Sequence, residues 1–277
     1  MRTVVLSDNR SINPNFETEH GLSIYLETEY HKFLLDTGSS DLFIRNSEKM
    51  NIDLSDVDYV FISHGHADHM GGLSAFLKIN KKAKVLLSAQ IPNRQYFSKR
   101  TGLKDISILF NFEDYRDRLI LIEDNYNINT DFYVLKNTSI KYKKPKANNS
   151  LYIANLLGEL ELDNFNHELI FVAGKERKFI YTGCAHNGLL NILETVNLQY
   201  CETIQWVMGG FHLLDKKYDN TYETTDELQI IAEHICSKYP QTEFITGHCT
   251  GDNAFNTLKK TLGLRLLNFY TGYKTVN

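Results

Sequence analysis

The sequence predicts an α/β chain, in the broad sense that includes α+β, and three observations carry that prediction. Short apolar runs rich in β-branched and aromatic residues alternate with stretches of helical period. A continuous apolar run, "VDYVFIS" at 57–63, empties directly into the histidine-rich stretch "SHGHADHMGGL" at 63–73. A unit of strand, polar histidine-bearing loop and helix then recurs, at His64, His186 and His248. Loops at the carboxyl ends of strands, feeding helix N-termini, are where open α/β sheets place ligands.

Taken in order, "TVVLS", "LSIYLET" and "KFLLDTG" read as an opening meander of strands. "SSDLFIRNSEKMNI" changes to helical period, with Ser39 or Ser40 as N-cap and Asp41 in the first turn. "VDYVFIS" has the unbroken apolar character of a strand buried on both faces, and "GGLSAFLKIN" starts the next helix. Residues 84–160 are less patterned, with one helix candidate, "NRQYFSKRTG" at 93–102. They read either as an insertion shaping a substrate site or as ordinary strands with long loops. Beyond them, "HELIFVAGKERKFIYTG" is a hairpin closed around Gly174 and Lys175, "LLNILETVNL" a helix and "TIQWVMGG" a strand. "TTDELQIIAEHICSKY" is an amphipathic helix capped by Thr224 or Thr225 and stopped by Pro240. "TEFITG" is a buried strand and "GDNAFNTLKKTLG" a closing helix ended by Gly263. The expectation is a single domain over 1–277, with the 84–160 segment inserted beside the site.

Composition narrows the class. The 277 residues are 42% hydrophobic and 23% charged, with a net charge of −4, which suits a soluble globular protein and argues against nucleic acid as a partner. The one basic run, "KYKKPK" at 141–146, reads as a solvated loop. No stretch resembles a secretory signal or approaches a membrane span, so the expected location is the cytoplasm, with no membrane contact. Four cysteines, Cys184, Cys201, Cys236 and Cys249, lie far apart without a Cys-x-x-Cys pair, suggesting neither a disulfide framework nor a structural zinc knuckle. Nothing in the sequence sets an oligomeric state.

The histidine cluster points to metal chemistry. In an extended loop His64 and His66, at i and i+2, project to the same side and can reach one ion. Asp68 and His69 follow where the chain turns into a helix, and can offer a carboxylate and an imidazole to a second ion. A catalytic zinc takes three protein ligands and keeps a position for water, so the remaining donors must come from other loops. "GCAHNG" (183–188), "GGFHL" (209–213) and "TGHCTG" (246–251) are the suppliers.

"SHGHADHMGGL", preceded by "FLLDTG" at 33–38, resembles the metallo-β-lactamase superfamily, which implies a four-layer αββα sandwich. "TGCAHNGLLNIL", "GGFHL" and "TGHCTG" together resemble the branch that includes the dihydropterin ribofuranosylaminobenzene phosphate synthases and related metal-dependent hydrolases. The likeness runs from about Leu22 to Gly272 and is weak over 84–160. It implies that His64 and His66 bind a first metal, and Asp68, His69 and His248 a second. Where most members carry a bridging aspartate this chain has Cys184, a ligand or else a small buried hydrophobe. His186 is the better candidate to complete the first site, and His167, ahead of the strand at "ELIFV", is its rival.

The cofactors implied are two divalent metal ions, zinc first, with Mn2+ or Fe2+ as alternatives. Such a pair shares a hydroxide that attacks an electrophilic carbon or phosphorus, with Asp68 orienting it and moving the proton. His212 reads as a substrate-binding or proton-transfer residue. Asp36, at a strand end beside the cluster, would accept hydrogen bonds from loop amides or orient a ligating imidazole. His20 could rim the pocket, while His31 and His234 read as exposed. Substrate choice would fall to residues such as His212, Arg94 or Tyr96. The expected function is metal-dependent hydrolysis of a phosphorylated or other small ester-type metabolite. The alternatives are a glyoxalase-like thioesterase or lactonase, a pterin phosphate synthase-type transferase, and a non-catalytic or thiol-redox member acting through Cys184.

Overall fold

Alternation of side chains along each strand builds this molecule. The computed structural model describes residues 1–155, 157–200, 202–215 and 222–276, so Cys201 lies outside the described residues. The first strands are β1 (Arg2–Ser7), β2 (Ser23–Glu27), β3 (Lys32–Leu35), β4 (Tyr59–Phe61) and β5 (Lys84–Ser88). The middle of the chain forms β6 (Tyr96–Ser98), β7 (Lys104–Asp105), β8 (Leu119–Ile122), β9 (Tyr126–Asn127), β10 (Phe132–Leu135), β11 (Leu151–Ala154) and β12 (Leu160–Leu162). It closes with β13 (Ile170–Ala173), β14 (Arg177–Tyr181), β15 (Thr203–Met208), β16 (Glu243–Thr246), β17 (Leu266–Asn268) and β18 (Lys274–Val276). The helices are α1 (Leu42–Lys49), α2 (Ala67–Met70), α3 (Leu73–Ile79), α4 (Leu189–Gln199), α5 (Thr225–Lys238) and α6 (Asp252–Leu262).

Two seven-stranded sheets result, ordered β18-β1-β2-β3-β4-β5-β8 and β17-β16-β15-β14-β13-β10-β9. Their strands are apolar on both faces because each sheet is covered twice. Val5, Phe33, Leu35 and Phe61 of the first sheet meet Phe171, Phe179 and Tyr181 of the second in one buried cluster between the sheets. The intervening Val4, Leu34, Val60 and Ile62 point the other way and pack with Phe43 of α1 and Phe76 of α3. On the far side, Ile170, Val172 and Ile180 pack with Ile192 of α4, Ala232 of α5 and Leu258 of α6. The layers are therefore helix, sheet, sheet, helix, the four-layer arrangement expected.

The local signals hold at the caps and turns of the second half. Thr224 accepts from the Glu227 amide while Glu227 reaches back to the Thr224 amide, a complete capping box. Gly174 takes a φ of +103° in the β13–β14 hairpin. Two local expectations fail. Helix α1 is capped by Asp41, without a side-chain bond, since the Ser40 hydroxyl is held by Glu19 and starts the turn by accepting from the Leu42 amide. The helix candidate at 93–102 is instead β6, because Tyr96 and Phe97 pair with Ile153 and Tyr152 of β11. Aromatic strand propensity wins there over a run of polar neighbours.

Of the 84–160 segment, β5, β8, β9 and β10 complete the edges of the large sheets, whereas β6, β7, β11 and β12 form a separate four-stranded sheet. Strands β3, β4 and β5 run parallel, as do β14, β15 and β16, so each set delivers its carboxyl-terminal loops to one edge. Among the described residues no helix is long and apolar enough to cross a membrane. Thr224→Ala should remove the α5 cap and cost about 1 kcal/mol. Denaturant unfolding should show that loss, and metal content should not change.

Candidate metal centre

The chain reaches the site through Ser63. Its amide donates to Asp36 Oδ1 at 2.7 Å and its hydroxyl to Asp36 Oδ2 at 2.6 Å. His64 and His66 follow, separated by Gly65, where a Cβ would lie 2.6 Å from the Tyr96 ring. Only glycine lets the loop lie so close to that ring. The short helix α2 then carries Asp68 and His69, and the Ala67 amide ties it to the Ile106 carbonyl at 2.9 Å.

His64, His66 and His186 present ring nitrogens that lie within 4.8 Å of one another. His64 Nε2 and His186 Nε2 are 3.3 Å apart. The Ser63 proton goes to Asp36, so His64 Nδ1 must donate to Ser63 Oγ, 2.9 Å away. Asn148 grips His186 at two points, donating to its carbonyl at 2.7 Å and accepting from Nδ1 at 3.0 Å. Both Nδ1 protons point outward, and two Nε2 lone pairs face each other. A cation between them is the natural complement, and the donors fit one. Burial holds all three imidazoles neutral, with His66 pushed down to about 3.

The second group repeats the design. His69 donates Nδ1–H to Asp36 Oδ2 at 2.6 Å, leaving Nε2 to face His248 Nε2 at 3.1 Å. Asn9 grips His248 as Asn148 grips His186, donating to its carbonyl at 2.9 Å and meeting Nδ1 at 3.2 Å. Asp68 Oδ2 lies 3.4 Å from His248 Nε2 and 3.9 Å from His69 Nε2. Burial works against ionisation of Asp68, yet His69 and then His248 hold its carboxyl well below the usual range. Burial also opposes charge on His248, but the bond to Asp68 outweighs it and pushes that imidazole up to about 9. A positive charge belongs between these groups, as a proton or as a cation.

Cys184 lies between the two sets. Its sulfur is 3.1 Å from His69 Nε2, within reach of His64 and also of His186 and His212. Burial pushes its thiol up, so only a cation would draw it into the thiolate form. Cys249, which sequence reasoning passed over although it adjoins His248, is part of the same cluster. Its sulfur accepts from the His212 amide at 3.3 Å.

His167 Nδ1 accepts from the Gly65 amide at 3.2 Å and its Nε2 donates to Asp163 Oδ2 at 2.9 Å, which braces the histidine loop, and with His66 and Asp163 it forms a further group whose donor atoms lie within 4.8 Å of one another. His212 is buried with neither ring nitrogen hydrogen-bonded among the described residues, its ring 4.1 Å from that of His186. Arg94 and Tyr96 border a different cleft, with Asp163 and His167. His31 and His234 are half-buried rather than exposed, packed against Tyr59 and Tyr142. Three buried carboxylates had no reading in the sequence. Asp163 steadies His167, Asp8 accepts from the His248 amide, and Glu168 accepts from the amides of His186 and Asn187. The donors open onto a cavity of about 550 Å3, which His20 and Asn9 also border.

Residues 18–135 match a model of the metallo-β-lactamase superfamily. The chain is 25% identical over 266 residues to the 7,8-dihydropterin-6-methyl-4-(β-D-ribofuranosyl)-aminobenzene-5'-phosphate synthase of Methanocaldococcus jannaschii, covering 90% of this chain and 87% of that one. It is 26% identical to the uncharacterized protein MJ0448 of the same organism, covering 97% and 96%. The crystal structure of Tm1679, a metal-dependent hydrolase of the β-lactamase superfamily, superposes with a TM-score of 0.82 at 29% identity, over 100% of this chain and 99% of that one.

Two results are expected from metal titrations. Zn2+-loaded protein should hold about two equivalents, and His186→Ala should lose one. His167→Ala should keep both, bound some 10- to 100-fold more weakly. Because a proton on His248 competes with a cation below its pKa of about 9, affinity at the second group should climb about tenfold per pH unit toward that value and then level off. Chelator competition across pH reads this directly, and a flat profile would contradict it.

Proposed function

We propose that this chain, whose residues 18–135 match a model of the metallo-β-lactamase superfamily, is a hydrolase of that superfamily that holds two divalent cations, zinc first, and acts on a small phosphorylated metabolite. The observation that carries the reading is the pair of opposed Nε2 contacts, His64 with His186 and His69 with His248, with the Cys184 sulfur between them. Cations bound there would polarise a substrate oxygen and make water a nucleophile near neutral pH.

The side chains supply the rest. Asp68, kept ionised and partly open to the cavity, orients the attacking water and accepts its proton. His20 lies 3.3 Å from the same carboxylate oxygen, on the route from Asp68 to solvent. His212, whose ring nitrogens have no hydrogen-bond partner among the described residues, can donate to the substrate or leaving group. Its grouping with Cys184 and His186 supports that role.

The phosphorylated substrate is supported by the relative whose name specifies a 5'-phosphate product, and by the attraction of cations for phosphate oxygens. The same relative is a synthase, which supports a second reading, transfer to an acceptor other than water at the same centre. Metal-loaded protein should cleave bis(4-nitrophenyl) phosphate, with turnover abolished by chelation and reduced about 10²- to 10⁴-fold by Asp68→Ala. Penicillins should not be turned over. Thioester or lactone cleavage far above diester cleavage, in parallel kinetics, would move the assignment to a glyoxalase-like or lactonase activity.

A further inference from the structure

The separate four-stranded sheet reaches the active-site cavity through Leu151 of β11 and through the turn from β6 to β7. Ser98, Arg100, Thr101 and Lys104 on that turn line the same cavity as Asp68 and His186. The turn is built to keep a fixed place. The Lys99 amide donates to the Ser150 carbonyl at 2.8 Å, and the Ile106 carbonyl holds the Ala67 amide of the metal loop. Gly102 makes the corner with a φ of +103°, and a Cβ there would meet nothing within 4 Å, so the corner projects into open space.

The charges on the cavity walls are not evenly placed. Asp215, which also lines the cavity, is turned to the start of α6, where Oδ1 accepts from the Asn253 amide at 2.9 Å. Asp105 folds back on its own turn, accepting from the Ser107 amide at 2.8 Å. Among the described residues, no carboxylate lies within ion-pair distance of Lys104. Two cations and two hydroxyls of this sheet thus line the cavity. A guanidinium, an ammonium and hydroxyl donors lining one cavity can receive phosphate oxygens, which guanidinium binds in a two-pronged fashion.

We propose that Arg100 and Lys104 are the specificity-determining residues of this site, holding a terminal phosphate of the substrate while a second, reacting bond lies over the histidine cluster. The substrate class is then a metabolite with two separated functional groups, one scissile and one a phosphate monoester that is retained. This rests on the reading of the cluster as a hydrolytic centre.

The test is calorimetric binding of phenylphosphonate, a phosphate-monoester analogue that cannot be hydrolysed, to Zn2+-loaded protein, with benzyl alcohol as its neutral control. Wild-type protein should bind the phosphonate and not the alcohol. Arg100→Ala should weaken binding about tenfold, Arg100→Lys by less, and Arg100→Ala with Lys104→Ala by about a hundredfold. Metal content and melting temperature should stay at wild-type values in all three. Equal affinity in the double variant and wild type, as when the phosphonate rests on the metals alone, overturns the proposal, and so does a failure of wild type to bind it. Binding that depends on Arg100 in a protein that cleaves no ester would refute the hydrolytic reading and leave this receptor standing. Diester cleavage with unchanged phosphonate affinity in the double variant would do the reverse.

Discussion

The buried carboxylate of Asp36 is the constraint from which the site is built. It accepts from the Ser63 amide, the Ser63 hydroxyl, His69 Nδ1 and the Tyr181 hydroxyl, all within 2.7 Å. Through Ser63 it sets the proton of His64, and directly it sets that of His69, so one side chain aims a donor at each metal group. Tyr181 belongs to the second sheet, and its bond to Asp36 fastens the two sheets at the site's floor. An unpaired charge at such depth would be prohibitive. Four donors, one of them an imidazole, offset that cost and make the carboxylate's position nearly invariant.

Asp36 also takes a left-handed backbone, φ +58°, and it is not alone. Ala185, His212 and His248 do the same at φ +57°, +50° and +51°, each shortly after the end of a strand. A left-handed residue without glycine's freedom costs on the order of 1 kcal/mol or more. What the cost gives in return is direction. A parallel strand that simply continued would carry its side chains past the edge of the sheet, whereas the reversal turns them across it toward the opposite loops. The flanking Gly183 and Gly209 make room, since a Cβ at either would approach Ser63 or Thr182 at 2.3 Å.

Much of this was legible in the sequence, and the divide follows from how far each interaction spans. The sandwich could be read because β-strands buried on both faces leave unbroken apolar runs such as "VDYVFIS". The convergence of His64, His66, Asp68 and His69 is local to one loop, and His186 and His248 announce themselves by following strands. The residues that aim those donors were not legible. Asn9 and Asn148 act from 239 and 38 positions away, and nothing in an isolated asparagine tells a clamp from a turn. Asp8 and Asp163 failed to register for the same reason. The misread helix at 93–102 has another cause: beyond the two-residue strand β7 nearby, its pairing partner β11 lies more than fifty residues downstream, where propensity has no view of it.

The placement of the donors bears on how the molecule comes apart. Asp68, His64, His66 and His69 hang from the first sheet, and His186, Cys184 and His248 from the second, so the cluster straddles the seam between the two sheets. The groups His64–His66–His186 and His64–His69–Cys184 each draw donors from both sheets. An ion bound there is a rivet, adding roughly 4 kcal/mol to the folded state at a thousandfold excess over its dissociation constant. Its effect should fall chiefly on the separation of the two sheets, because donors on both must let go of the ion for that to happen. Scarcity of metal would then be felt first as a shortened lifetime of the protein, in a cell whose proteases sample open forms, before any change in the chemistry at its centre.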